Sequence, residues 1–402
     1  MAAAEQVAEP PRIWLVLGDK LGDNAQVEIV ARELGLPAER KALTFKAEYV
    51  FGKPPFKASL HHIDLAASSP LAPPWPDLVL TVGRRPAMAA FWIRQQSGGA
   101  TRVVLFGRPK KAIADFDLVI APGQYSLPDD PRVLPLALPL MQADPAAVAA
   151  AGERWRERLE ALPRPLTAVL VGGPTKPFRF DAGVVDDLLA RLRESTQGQG
   201  SLFVTTSRRT PAAVAERLQA GLPASAAFYR WQAGAPAEDN PYLGLLALAD
   251  RFVVTGDSIS MLVEVSRLGR PLAIFRLPEE RRLSTRLRRA LVTTTGKLAA
   301  GGGVVGRMTQ KLQRAGLFGY QRDFDRLHNH LLAQGAAVEL GRPFPQAPAR
   351  LPDEVAGVVA AVRRLLPPED AAGRPEPGGS TARGLRPPGG ATRGLRPPGG
   401  VA

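Results

Sequence analysis

A loop near the N-terminus, residues 18–26 (GDKLGDNAQ), holds the side chains best suited to acid–base chemistry on a hydroxyl group. Asp19 and Asp23 are carboxylates that could remove a hydroxyl proton, and Lys20 could contact an anion. Gly22 allows a ligand to approach the backbone. The pattern also fits a helix that begins here with Asp23 or Asn24 as its N-cap, and this alternative stays open. The loop lacks the G-x-G-x-x-G fingerprint of dinucleotide sites.

A second candidate loop, residues 171–176 (VGGPTK), follows an apolar run. The N–H groups of Gly172 and Gly173 could bind a phosphate, with Thr175 and Lys176 beside them. The Gly-Lys-Ser/Thr ending of a Walker A loop is missing, which argues against kinase or ATPase chemistry. A plain turn would use the same glycines, so that interpretation remains open.

Two further loops, in residues 205–210 and 255–264, combine hydroxyl and charged side chains after apolar runs. Their candidate ligand-binding residues are Ser207, Arg208, Asp257, Ser258, Ser260 and Glu264. Glu264 follows Ser260 by one helical turn, so both lie on one helix face. A carboxylate there could accept the hydroxyls of a ribose whose phosphate lies at the helix N-terminus. The alternative is a surface glutamate that only supports the helix.

Basic residues add two more candidate contacts. Arg84 and Arg85 follow an apolar run and could hold a phosphate or carboxylate through paired hydrogen bonds, although charged loops are often merely solvated. The segment 276–297 is the densest basic stretch. It could contact an acidic membrane surface, and a solvated basic helix is the alternative.

Composition excludes several kinds of chemistry. The 402 residues include no Cys, which removes thiol catalysis, disulfides and Cys-based metal sites. The four His form no HExxH pattern, so we expect no metal site. The net charge of +14 favours anionic partners, but no nucleic-acid motif accompanies it, and we expect no specific nucleic-acid partner. Without a signal peptide or a long apolar stretch, we expect a cytoplasmic protein, with contact at the inner membrane face as a variant of that location.

Short apolar runs alternate with amphipathic segments along most of the chain. Apolar runs without strict alternation are typical of parallel strands covered by helices on both faces, which predicts an α/β fold with two doubly wound sheets. The predicted strands are 13–18, 77–83, 102–107, 117–122, 167–173, 201–207, 226–231, 251–256 and 271–277, and the predicted helices are 24–34, 86–96, 143–161, 182–193, 211–220, 240–249 and 258–268.

Several motifs occur in the order of one known family. The stretches GDKLGDNAQ, TVGRRPA, VGGPTKPFRFD, TTSRRTP and NPYLGLLALADRFVVTGDSISMLVEV resemble the mitochondrial fission family named for elongated mitochondria, over about residues 12–345. That family is similar to glycosyltransferases of the GT-B architecture, in which two Rossmann-like domains face a cleft. The resemblance implies a nucleotide-sugar donor, UDP-linked by preference, bound without a metal or other cofactor. It implies donor contacts from the loops near Gly172, Arg208 and Glu264, and an acceptor-activating Asp in residues 18–26.

The domain organisation combines composition with this resemblance. Its parts are a disordered N-terminus (1–11), an acceptor domain (12–145), a linker (146–165), a donor domain (166–345), a C-terminal helix returning to the first domain (346–370) and a disordered Arg/Pro/Gly tail (371–402). The leading hypothesis is a glycosyltransferase-like protein that transfers a sugar to a hydroxyl acceptor, such as a lipid or cell-envelope molecule. The alternative is a non-catalytic factor in membrane division that uses the fold as a binding platform.

Overall fold

The computed structural model describes residues 9–50, 56–109, 113–125, 127–280 and 323–367. The predictions for the N-terminal residues 1–8, for the tail 371–402 and for residues 281–297 of the basic segment lie outside these ranges.

The first sheet has six parallel strands in the order β2-β1-β3-β4-β5-β6. Its strands are β1 (Ile13–Leu17), β2 (Ala38–Ala42), β3 (Leu78–Val82), β4 (Arg102–Phe106), β5 (Leu118–Pro122) and β6 (Val133–Leu136). Both faces of this sheet are buried, because Leu15 and Leu17 enter one core while Trp14 and Val16 enter the core on the opposite face. This explains why β1 is a continuous apolar run.

The second sheet is also parallel and six-stranded, in the order β12-β11-β10-β7-β8-β9. Its strands are β7 (Leu166–Val171), β8 (Ser201–Thr206), β9 (Ala227–Tyr229), β10 (Arg251–Thr255), β11 (Leu272–Phe275) and β12 (Val338–Glu339). Counted within this half of the chain, the order is 3-2-1-4-5-6, the Rossmann order. The two sheets confirm the predicted α/β class.

Helices cover both sheets. In chain order they are α1 (Leu21–Leu34), α2 (Ala47–Val50), α3 (Arg84–Gln96), α4 (Pro145–Glu160), α5 (Ala182–Thr196), α6 (Ala212–Gly221), α7 (Tyr242–Leu248), α8 (Ile259–Arg267), α9 (Phe324–Ala333) and α10 (Val355–Arg363). Helix α10 lies far along the chain, yet its Val358 and Val362 belong to the same core as Leu15 of β1.

The chain between the sheets is tied to both cores. Leu140 is buried with the first sheet, whereas Leu138 is buried with the second. The carboxylate of Glu354 accepts hydrogen bonds from the N–H groups of Ala137 (2.9 Å) and Leu138 (3.3 Å). The segment 146–165, which the sequence suggests as a linker, is helix α4 up to residue 160, and its Trp155 belongs to the second core.

Close packing of α4 against α7 leads to a test of stability. A Cβ at Gly244 would lie 2.7 Å from Trp155 Cγ, so we expect Gly244→Ala to lower the free energy of unfolding by about 1–3 kcal/mol through overpacking. The matched control is Gly357→Ala in α10, where nothing lies within 4 Å. Because alanine has a higher helix propensity than glycine, Gly357→Ala should leave the free energy of unfolding unchanged or raise it by up to about 1 kcal/mol. Urea unfolding measures both, and equal midpoints for the two variants would contradict this account of the packing.

Candidate functional site

Each sheet has one point where the strand order reverses. In the second sheet the chain turns back between β7 and β10, and in the first sheet between β1 and β3. In open α/β sheets, ligands bind beyond the carboxyl ends of the strands at such switch points. The four loops that follow these strands begin at Gly172, Gly256, Gly18 and Gly83, and together with the first turns of the helices after them they include most of the candidate residues.

At the second switch point the glycine loop is bonded to the end of β10. Gly172 donates its N–H to Thr255 Oγ1 (2.8 Å), and Gly173 donates to Asp257 Oδ2 (2.9 Å). A Cβ on Gly172 would lie 2.5 Å from Asp257 Oδ2, and one on Gly173 would lie 2.1 Å from the carbonyl oxygen of Arg209. Both N–H groups that the sequence assigns to a phosphate therefore have acceptors within the protein, and the glycines serve the close approach of the two loops.

Asp257 is the central group of this cluster. Its side chain is inaccessible to solvent, and burial raises the pKa of the carboxyl group. Hydrogen bonds from Thr255 and Gly173 and the nearby charge of Arg209 act in the opposite direction on this pKa. The Arg209 guanidinium lies 3.7 Å from Asp257 Oδ2 and also donates to the hydroxyl of Thr175.

In the loop after β8, the arginine that contacts the Asp257 cluster is Arg209 and not the predicted Arg208. Arg208 is exposed and makes none of the hydrogen bonds or ion pairs found in the described ranges, whereas its neighbour Arg209 reaches the Asp257 cluster. Thr210 closes the loop, since its hydroxyl donates to the carbonyl of Gly172 (2.5 Å) and accepts from the N–H of Ser207 (2.9 Å). Two adjacent arginines could not be told apart from sequence, because only the loop conformation decides which one faces the switch point.

A buried histidine holds the turn between β10 and α8. Nε2 of His328 in α9 donates to the carbonyl oxygen of Gly256 (2.7 Å), and a Cβ on Gly256 would lie 2.8 Å from the same ring. Burial lowers the pKa of His328, which favours the neutral imidazole. The turn leads to Ser258, the buried N-cap residue of α8, whose side chain makes no capping hydrogen bond. His328 was not predicted as a site residue, because no sequence spacing relates it to Gly256.

Glu264 and Ser260 lie on the partly exposed face of α8. The hydroxyl of Tyr242, the first residue of α7, donates to Glu264 Oε2 at 2.5 Å. Burial raises the pKa of Glu264, and the hydrogen bond from Tyr242 lowers it. Lys176, the remaining candidate near this switch point, is exposed.

At the first switch point, α1 begins earlier than the sequence suggests. The helix starts at Leu21, so neither Asp23 nor Asn24 is its N-cap. Asp23 lies in the first turn with one carboxylate oxygen 3.9 Å from Lys20 Nζ, while Asp19 and Gly22 are exposed. The Asn24 amide donates to the carbonyl of Gly18 (2.8 Å), which fixes the loop that carries these groups.

Arg84 and Arg85 begin α3 on the neighbouring side of this switch point. Their guanidinium groups lie over aromatic rings, that of Arg84 at 5.2 Å from Phe56 and that of Arg85 at 4.3 Å from Phe45. Such cation–π contacts restrict where the two side chains can point. The structure therefore brings Asp19, Lys20 and Asp23 to one strand end and the arginine pair to the adjacent one.

The fold and these loops define an α/β protein with one candidate ligand site at the switch point of each of two parallel sheets. Residues 22–300 match the family described as Mitochondrial fission ELM1. This match covers more than half of the 402 residues, and the chain belongs to that family.

Individual relatives are more distant. The chain is 31% identical over 222 residues to the mitochondrial fission protein ELM1 of Arabidopsis thaliana, covering 50% of this chain and 51% of that protein. It thus spans about half the length of the plant relative. It is 24% identical over 310 residues to the uncharacterized protein RP120 of Rickettsia prowazekii, covering 66% of this chain and 83% of that protein.

Solved structures give weaker similarities. The UDP-GlcNAc 2-epimerase of Methanocaldococcus jannaschii has a TM-score of 0.47 at 10% identity, covering 88% of this chain and 99% of the epimerase. The enzyme of the same name from Neisseria meningitidis, bound to UDP-GlcNAc, has a TM-score of 0.42 at 12% identity, with the same coverage. Family membership therefore rests on the sequence match. Within the described ranges, no helix is both long and apolar enough to cross a membrane.

The buried carboxyl of Asp257 predicts a distinctive pH dependence of stability. Its pKa is raised above 3.8 in the folded chain, so the folded state holds the proton more tightly, and rising pH removes stability until the folded carboxyl has ionised. We expect the stability of the wild type relative to Asp257→Asn to fall as the pH rises above 3.8.

The control is Asp186→Asn on the surface of α5. The Arg217 side chain, 2.8 Å away, lowers the pKa of Asp186, so its contribution has the opposite sign and is lost as the pH falls below 3.8. Urea unfolding across a pH series measures both differences. Parallel curves for the wild type and Asp257→Asn would refute the assignment of Asp257.

Proposed function

We propose that the chain binds a nucleotide sugar at the switch point of the second sheet and transfers the sugar to a hydroxyl acceptor at the switch point of the first. One observation carries the donor half of this proposal. Ser260 and Glu264 share the partly exposed face of α8, and α8 begins at the switch point. A helix N-terminus attracts phosphate, and a carboxylate about 7.5 Å further along the axis suits the hydroxyls of an attached ribose.

The donor phosphates then rely on α8 and Arg209, because the glycine N–H groups are bonded to Thr255 and Asp257. The first N–H groups of a helix have no partner within the helix, and Ser258 leaves them uncapped. Arg209 extends from the Asp257 cluster with its side chain about half exposed, and it can add a charge-assisted hydrogen bond to phosphate. We favour UDP as the nucleotide, with no metal or other cofactor.

The transfer step assigns Asp23 as the general base. The acceptor hydroxyl oxygen forms a bond to the anomeric carbon, the bond from that carbon to the phosphate oxygen breaks, and the nucleoside diphosphate leaves. The hydroxyl proton passes to the Asp23 carboxylate. Lys20 beside Asp23, with Arg84 and Arg85 at the adjacent strand end, suits an acceptor that carries a negative charge, such as an anionic lipid or envelope molecule.

The second candidate function is a non-catalytic recruiting platform, favoured by membership of the fission family and by the name of the plant relative. In that case the two switch points are inherited features of the fold, and binding to a partner or to an acidic membrane surface does not need a nucleotide. The two functions differ in whether substitution of Glu264 changes ligand binding.

Nucleotide binding tests the donor site. We expect UDP to raise the melting temperature of the full chain, with a smaller effect from ADP and GDP. Glu264→Gln should weaken UDP binding about tenfold by calorimetry, because a charge-assisted hydrogen bond to ribose is lost. The control Glu216→Gln, on the exposed surface of α6, should bind as the wild type does. If no nucleotide binds to the wild type, the donor proposal fails and the recruiting platform becomes the leading function.

The acceptor half has a separate test. With UDP-sugars and pooled envelope glycolipids as acceptors, Asp23→Asn should reduce release of UDP at least a hundredfold while leaving UDP affinity unchanged. Asp19→Asn tests the alternative base, and Asp187→Asn, an exposed aspartate paired with Arg191 on α5, serves as the control. Equal turnover in the wild type, Asp23→Asn and Asp19→Asn would exclude both carboxylates as the base.

A further inference from the structure

A tyrosine that the sequence did not single out contacts the proposed ribose-binding carboxylate. The Tyr242 hydroxyl donates to Glu264 Oε2 at 2.5 Å, and this is the hydrogen bond that Glu264 makes among the described residues. The second carboxylate oxygen, Oε1, therefore has its acceptor capacity left for a ligand. The tyrosine lies 22 positions before the glutamate in the chain, and α7 and α8 bring the two together.

The backbone around Tyr242 is fixed by two further contacts. Its backbone N–H donates to the side chain of Asn240 (3.0 Å), which fixes the start of α7. Two residues further along α7, Gly244 packs against Trp155 of α4 so closely that a Cβ would lie 2.7 Å from the indole. Tyr242 is thus a rigid donor, whereas Glu264 on the partly exposed face of α8 would otherwise be able to change rotamer.

The electrostatics of the pair favour the tyrosine as the donor of this hydrogen bond. Burial, the charge of Glu264 and the shared hydrogen bond raise the pKa of Tyr242 well above its ordinary value, so the phenol keeps its proton. Burial raises the pKa of Glu264, and the hydrogen bond from Tyr242 opposes this increase. Loss of the phenol would leave the buried carboxylate with less stabilisation of its charged form.

We propose that Tyr242 is a positioning residue, which holds Glu264 with Oε1 directed to the ribose hydroxyls and so makes the site selective for ribonucleotides over deoxyribonucleotides. This inference rests on the proposed nucleotide site. A fixed acceptor discriminates a sugar with hydroxyls from one without them, because the analogue would displace water from Oε1 without offering it a hydrogen bond.

The experiment measures the dissociation constants of UDP and of 2′,3′-dideoxyuridine diphosphate for the full chain. We expect the wild type to prefer UDP by about tenfold or more, and Tyr242→Phe to lose most of that preference through weaker UDP binding. Tyr125→Phe, a partly buried tyrosine of the first half of the chain, is the matched control and should keep the preference. In Glu264→Gln, adding Tyr242→Phe should change the ratio no further.

Two features separate positioning from mere structural support. A structural defect would weaken both ligands equally and leave their ratio unchanged, which would overturn the inference. The ratio should also fall on acidification as Glu264 gains a proton, beginning above pH 4.5 in the wild type and at a higher pH in Tyr242→Phe. Should Tyr242→Phe fail to fold, the wild-type pH series still tests the pair, since a ratio that stays constant down to pH 4.5 contradicts it.

The failure of this inference is distinguishable from failure of the proposed function. If the wild type binds none of the uridine nucleotides, the donor site itself is wrong. If the wild type prefers UDP and Tyr242→Phe keeps that preference at every pH, the donor site stands and Tyr242 has no positioning role.

Discussion

The arrangement of the loops at the switch point of the second sheet depends on the buried carboxylate of Asp257. It accepts the N–H of Gly173, lies 3.7 Å from the Arg209 guanidinium and begins the turn into α8. The loops after β7, β8 and β10 are therefore joined through one side chain, at the point where the strand order of the sheet reverses. Because a charge at this depth is costly unless hydrogen-bonded, the loops have little freedom to separate. This arrangement requires glycine at 172 and 173, because a Cβ at either position would overlap Asp257 or Arg209.

Because of this constraint, the glycine pair after β7 has a structural role that differs from the phosphate-binding turn predicted from sequence. From sequence, Gly172 and Gly173 have the features of a phosphate-binding turn, because freely exposed N–H groups would converge there. In the folded chain the same N–H groups donate to Thr255 and Asp257, so the proposed phosphate contacts are the uncapped start of α8 and Arg209. A phosphate and Asp257 would carry like charges, so the protein side chain that organises the site also limits where a phosphate can lie.

The sequence predicted those parts of the fold that depend on local periodicity. Strands β1 and β7 and helices α5 and α8 lie within a few residues of their predicted bounds, because each is apolar on the faces it buries. Strand β2 was missed, since AERKA is a mostly exposed edge strand with no apolar run. The candidate loops were found because ligand loops follow strands, but contacts such as His328 with Gly256 or Tyr242 with Glu264 join residues far apart in sequence. Without tertiary structure no spacing could indicate them.

Each half of the chain has a parallel sheet with a switch point, but the side chains around the two switch points differ. The switch point of the second sheet holds the internally bonded cluster of Asp257 and Arg209, whereas that of the first is surrounded by half-buried or exposed Lys20, Asp23 and stacked arginines. A preorganised, desolvated site favours one ligand geometry, and a solvated charged site tolerates many ligands. Under the proposed function, this contrast assigns specificity for the nucleotide to the second switch point and a variable acceptor or partner to the first. If one fold serves both a sugar-transferring enzyme and a recruiting factor, we expect the two to differ at the first switch point and to keep the second, because the Asp257 cluster also joins the loops at the end of that sheet.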